Sequence, residues 1–203
     1  CAFDWVGFCP MRNSNSGALP RYFGRRRGEE YPEVGLGDAI KTRGIEGRQR
    51  STPAWVEDVQ NDALRVFDET RSPEAVCDVL RRRLQQLREG EVDPSKLVVD
   101  NCVSKDVDDY SMETLTVAAL KRTQIEGTGV AAGQTIRYVV VDADARGAAR
   151  VRLEYEDLGR YDTEWYEDAA VRAVESVLAP VGWREGKIKQ YLAGARDETL
   201  AGY

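Results

Sequence analysis

The sequence predicts an α+β chain in which short strands come first and a mainly helical region with a small strand element follows. Three observations predict it. Two short aromatic runs, Phe3 to Phe8 and Leu19 to Phe23, flank the turn-forming loop Asn13-Ser14-Asn15-Ser16-Gly17, the pattern of paired strands. From Thr52 onward the apolar residues change to helical spacing. Inside that helical half, Thr135-Ile136-Arg137-Tyr138-Val139-Val140-Val141 is a β-branched run too short and too uniform for a helix, so it reads as a buried strand.

The elements follow in order. Gly28 to Gly37 is rich in glycine and acid and holds Pro32, which reads as a surface insertion before the extended residues Ala39 to Arg43. Pro53 suits a first helical position with Ser51 or Thr52 as cap, and Trp55, Val59, Ala63, Val66 and Phe67 share one face of a helix ending near Thr70. Ser72-Pro73-Glu74 starts a second helix with Val76, Leu80, Leu84 and Leu87 inside and Arg81, Arg82, Arg83 and Arg88 largely outside, until Gly90 stops it. Asp93-Pro94-Ser95-Lys96-Leu97 is a turn into the extended segment Val98 to Ser104. Ser111 is the expected cap of a third helix carrying Leu115, Ala118 and Ala119 and running out at Glu126-Gly127. A strand at Val151 to Tyr155 and a helix from Thr163 to Leu178, closed by Pro180 and Gly182, complete the pattern. The four tryptophans, Trp5, Trp55, Trp165 and Trp183, read as core residues because each has apolar neighbours.

Composition narrows the chemistry. The 203 residues are 42% hydrophobic, enough to bury a core, and hold no apolar run long enough to span a membrane. There is no histidine, and Cys1, Cys9, Cys77 and Cys102 form no C-x-x-C pair, which excludes imidazole base catalysis and zinc-finger spacing and leaves buried or incidental thiols. The chain opens on Cys1-Ala2-Phe3 with no secretory signal, so a cytoplasmic fragment is expected, from a truncation or from an intein-related piece. Net charge is −6, from 29 basic and 35 acidic side chains. Arg12 to Arg50 nevertheless holds nine basic and five acidic residues, a local +4 that leaves −10 elsewhere. Such asymmetry predicts a basic face toward phosphate and an acidic, solvated back.

Within that basic stretch, Thr42-Arg43-Gly44-Ile45-Glu46-Gly47-Arg48-Gln49-Arg50 places three arginines around a glycine turn just before a helix. Guanidinium forks match phosphate oxygens and groove-edge acceptors, and the same residues could equally be a solvated turn. Together with further blocks in a fixed order, this stretch resembles the end of the palm and the thumb of family B (archaeal-type) DNA polymerases, with most likeness to the haloarchaeal branch. The blocks are Arg43-Gly44-Ile45-Glu46, the helix pair, Asp93 to Leu97, Val103-Ser104-Lys105 leading to Asp109-Tyr110, Val117 to Lys121, Gly133-Gln134 with Tyr138-Val139-Val140, Tyr161-Asp162 leading to Tyr166, and Ala173 to Leu178. They cover roughly Tyr22 to Trp183.

The resemblance implies a palm end over 1–46, a thumb over 47–196 and a flexible tail over 197–203. It implies a C-terminal part of a DNA-directed DNA polymerase that grips primer-template duplex during replication, with the missing N-terminal and palm parts as partners. The DNA-binding residues it implies are Arg21, Tyr22, Arg43, Arg48, Arg50, Ser104, Lys105, Tyr110 and Lys121. The tail keeps Leu200 and Tyr203 at the separation of a sliding-clamp peptide, with Asp197 in place of its glutamine. Two departures matter. Pro20 stands where a lysine usually precedes Arg21-Tyr22, and neither the Asp-x-x-Ser-Leu-Tyr-Pro-Ser nor the Asp-Thr-Asp-Ser motif is present. Those motifs hold the two metal ions of phosphoryl transfer, so no catalytic residue and no cofactor is expected in this chain, and Mg2+ belongs to the parent enzyme. Asp162-Thr163-Glu164 is the nearest string and reads as an acidic helix cap. Two other classes stay open on the residues alone: a stand-alone nucleic-acid-binding module, and a cytosolic interaction protein with no nucleic-acid role.

Overall fold

Alternation along three strands organises the first part of the chain. A computed structural model describes residues 2–9 and 20–200, with side chains described through residue 194. β1 (Phe3–Cys9), β2 (Arg21–Arg26) and β3 (Ile40–Arg43) form an antiparallel sheet in the order β1-β2-β3. The pairing aligns Gly7 with Phe23 and Thr42, and Trp5 with Arg25 and Ile40. Cross-strand partners point the same way, and this set faces inward: Phe23 and Ile40 are buried, and the Trp5 and Phe23 rings meet edge-on at 5.6 Å. Gly7 is required there, because a Cβ would lie 2.8 Å from the Phe23 ring. The intervening set, Phe8-Tyr22-Arg43 and Val6-Gly24-Lys41, belongs to the opposite face.

The chain divides into two compact units, one of Cys1–Gln49, Val56–Glu89 and Glu167–Tyr203, the other of Arg50–Trp55 and Gly90–Tyr166. In the first unit the inner face of the sheet meets α1 (Ala54–Thr70), whose Phe67 ring lies 5.8 Å from Trp5 and 6.4 Å from Phe23. α2 (Pro73–Arg88) starts as expected, with the Ser72 hydroxyl accepting from Ala75 N and Pro73 in the first turn, and buries Val76, Cys77, Leu80, Leu84 and Leu87. Its arginines outside that face pair within the unit: Arg83 with Asp62 and Arg88 with Glu167. Asp68 on α1 accepts from Trp5 Nε1 at 2.6 Å and from the Tyr31 hydroxyl at 2.7 Å, which ties β1 and the 28–38 insertion to the helix.

The second unit is built on β4 (Val99–Cys102), β5 (Thr135–Val140) and β6 (Val151–Leu153), antiparallel in that order, with α3 (Leu115–Ile125) packed on β5 and β6. β6 ends at Leu153, short of the expected Tyr155, where a turn closes from Glu156 N to Leu153 O at 2.9 Å. Tyr166 anchors the unit from the first turns of α4 (Thr163–Leu178): its hydroxyl donates to Leu97 O at 2.7 Å and accepts from Val140 N at 3.0 Å.

Two further elements depart from the sequence expectation. α3 begins at Leu115, and its cap is Thr114, whose hydroxyl accepts from Val117 N, rather than Ser111. A fifth helix, α5 (Glu185–Leu200), had no counterpart in the pattern. Ile188 is its one fully buried apolar anchor among the described side chains, and Lys189 bridges Asp168 at 2.8 Å and Glu185 at 2.9 Å. Among the described residues, no helix is long and apolar enough to cross a membrane.

Candidate nucleic-acid interface

Pairing separates the basic residues of the first unit into two groups. The Arg25-Arg26-Arg27 triplet is spent internally: Arg25 lies 3.5 Å from Asp68 with its guanidinium 4.6 Å over the Tyr31 ring, Arg26 pairs with Asp38 and Arg27 with Asp4. Arg21 is spent more deeply. Its Nε donates to Gly44 O at 2.8 Å, and its Nη2 donates to Glu46 Oε1 at 2.7 Å and to Ser176 Oγ at 2.8 Å. Glu46 is itself buried, and its other oxygen accepts from Gln60 Nε2, whose Oε1 takes Gly47 N at 2.7 Å. The turn after β3 is therefore clamped from within. Gly44 has φ +67, the left-handed region where a Cβ is strained, and an added Cβ would sit 3.1 Å from Arg21 Cγ.

On the two sides of this clamped turn, Lys41, Arg43 and Arg48 are exposed and have no carboxylate partner among the described residues. Tyr22 lies in one cross-strand row with Arg43 and with Phe8, whose ring centroid is 6.2 Å away. Of the residues named from sequence, this unit thus brings together Tyr22 and Arg43, leaves Arg48 free at the turn, and buries Arg21. Lys41 belongs to the same basic run of the sequence. Its place on the face of Arg43 follows from the alternation of β3.

The second unit holds the remaining candidates in three places. Arg50 is 64% exposed, pairs with Asp100 at 2.9 Å and donates to Thr135 Oγ1 at 2.8 Å, which sets it against the β4–β5 ladder. Ser104, Lys105 and Tyr110 lie together: the Tyr110 hydroxyl accepts from Ser104 N at 3.1 Å and lies 3.2 Å from Ser104 Oγ. The hydrogen bond from Ser104 and the nearby Lys105 charge hold the Tyr110 phenol below its ordinary range. Lys105 is exposed. Lys121 on α3 pairs with Glu113 at 2.6 Å and holds that carboxyl below the usual range.

Asp162 acts as a cap, as its position suggested. Its Oδ1 accepts from Trp165 N at 2.9 Å and its Oδ2 from Ala143 N at 2.6 Å. Among the described residues, no three acidic, cysteine or histidine side chains converge as metal ligands would. Cys77 is fully buried, and burial with Asp78 and Glu74 nearby pushes its thiol up to about 12. Of the two clamp-peptide residues, Leu200 has a described backbone at the end of α5, but its side chain and the whole of Tyr203 lie outside the described residues.

Comparison with known proteins bears on this geometry. The sequence profile of DNA polymerase family B matches residues 21–181. The chain belongs to DNA polymerase family B. Its relatives include the DNA polymerase of Thermococcus gorgonarius, 26% identical over 166 residues, which are 79% of this chain and 21% of that protein. The DNA polymerase of Thermococcus sp. (strain 9oN-7) is 27% identical over 165 residues, again 79% of this chain and 21% of the relative. The structure of the family B polymerase from the hyperthermophilic archaeon Pyrobaculum calidifontis superposes with a TM-score of 0.58 at 22% identity, over 76% of this chain and 20% of that one. The fold of this chain, α+β with five α-helices and two small antiparallel sheets among the described residues, is thus similar to part of a family B polymerase. The chain spans about a fifth of the length of these relatives.

Proposed function

We propose that this chain is the palm-end and thumb part, near the C-terminus, of a DNA-directed DNA polymerase, and that it grips primer-template duplex during replication. The gripping role rests on one observation: Arg43 and Arg48 are exposed and unpaired among the described residues, on a turn that Arg21, Glu46 and Gln60 hold rigid. A guanidinium presented on a fixed backbone loses little freedom when it meets a phosphate, which favours binding. Family membership supplies the partner, since the relatives are DNA polymerases. Arg50 and Lys121 join this reading by exchange. Each is about half exposed or more and holds a surface carboxylate, an interaction of little net strength that a phosphate can replace.

Among the described residues no acidic or cysteine side chains converge as a two-ion site requires, which supports a reading in which the Mg2+ of the parent enzyme is held by carboxylates from another part of it. A sliding clamp remains a proposed partner through Leu200 and Tyr203. The deciding experiment is binding of the chain to primed duplex as a function of salt. Arg43→Ala and Arg48→Ala should each lower the slope of log K against log salt by about 0.9, while Arg21→Ala should lower stability instead. Affinity that ignores salt and both substitutions would favour an interaction protein without a nucleic-acid role.

A further inference from the structure

The outer face of the first sheet carries a second arrangement, which shares Arg43 with the arginine turn and adds residues that turn does not use. The row Phe8-Tyr22-Arg43 and the row Val6-Gly24-Lys41 run across all three strands. Phe8 is 68% exposed and Val6 37%, unusual for an aromatic and a β-branched residue on a strand. Gly24 adds a constraint: an ideal Cβ there would meet Trp5 O at 2.7 Å and Phe3 Cδ1 and Val6 Cγ2 at 3.1 Å, so Phe3 and Val6 already close over the middle of the sheet. The result is a ledge of Phe3, Val6, Phe8 and Tyr22 along β1 and β2, bordered on β3 by Lys41 and Arg43, which have no ion-pair partner among the described residues.

An apolar protein surface would complement the ledge alone and strand two cations. Unpaired nucleotides complement both parts, because bases stack on aromatic faces while the backbone phosphates follow a basic border. Duplex DNA offers phosphates but keeps its base faces stacked. We propose that this face is a stacking platform for unpaired nucleotides, with Phe8 as the ring that receives a base and Lys41 and Arg43 as the phosphate border. The proposal rests on the nucleic-acid reading above and extends it to Phe8 and Lys41.

The test is fluorescence anisotropy of the full chain with three labelled probes: a short oligothymidylate, an abasic oligonucleotide of the same length, and a hairpin duplex. The oligothymidylate should bind roughly tenfold tighter than the abasic strand, the scale of one base-aromatic stack. Phe8→Ala should erase that advantage and leave duplex affinity unchanged, with Phe8→Tyr retaining it. Lys41→Ala should instead lower the salt slope for both single strands by about 0.7. Equal binding of thymidylate and abasic strands would overturn the platform while leaving duplex gripping intact. So would a Phe8→Ala variant that weakens all three probes alike, or one whose only effect is loss of self-association. Failure of all three probes to bind would remove both readings together.

Discussion

Carboxylates decide which arginines of the first fifty residues are available, and the most buried of them is Glu46. Arg21 and Glu46 have side chains only 14% and 11% exposed, and Gln60 is buried behind them. Removing the acid leaves a guanidinium and an amide short of a partner away from water, the situation in which a pair matters most. Glu46→Ala should therefore destabilise the chain by about 2–3 kcal/mol, read from the urea midpoint. An unchanged midpoint would show that water replaces the carboxylate freely. The cysteines give a second prediction at this scale. Cys77 holds its proton up to about 12 and Cys102 is exposed, so Cys102→Ser should remove one equivalent of fast thiol labelling at neutral pH that Cys77→Ser leaves in place. The raised value also sets a sign. An unfolded thiol titrates near ~8.5, so between there and about 12 the folded state binds the extra proton. The stability contributed by Cys77 is whole below that window and lost as pH rises through it. Alkaline titration of Cys77→Ala should show a shallower decline than the parent.

Helices were legible in the sequence where a periodic face coincided with a punctuated start, as in Ser72-Pro73 before α2. The Ser72 hydroxyl takes Ala75 N at 3.2 Å, and Ser72→Ala should cost about 1 kcal/mol, measured by thermal or chemical unfolding. Asp162→Ala should cost more than Ser72→Ala in the same assay, because it frees both the α4 donor and the Ala143 amide. The buried strand β5 was legible from its β-branched run, and the helix pair from its leucines. α5 was not, for a physical reason: among its described side chains it is held by one deep apolar residue, Ile188, and by ion pairs from Lys189, so that part of its sequence lacks the stripe that periodicity detects. α3 starts after Thr114 rather than Ser111 because both hydroxyls can cap, and only the path of the backbone chooses between them. The candidate interface was half legible. Charge runs identified the arginines, but partners such as Ser176 for Arg21 lie 155 positions away and no local pattern announces them.

At the scale of the whole molecule, the chain is a fifth of its relatives by length and lacks both aspartate motifs named above. The purified chain should therefore not extend a primer with Mg2+ or Mn2+. Template-dependent incorporation by a preparation free of other polymerases would show that this chain carries an active site of its own. The two-faced sheet has a further consequence, for which kinds of sequence change the protein can survive. Because neighbouring residues of β2 serve opposite faces, with Phe23 in the core and Tyr22 outside, a strand here behaves like a reading frame. Swapping one residue for another edits a single position. Inserting or deleting one inverts every position after it, sending Phe23 to water and Tyr22 toward α1. Length variation among descendants of this gene should thus accumulate in the Gly28 to Gly37 insertion and be almost absent from Arg21–Arg26, even where the amino acids themselves drift.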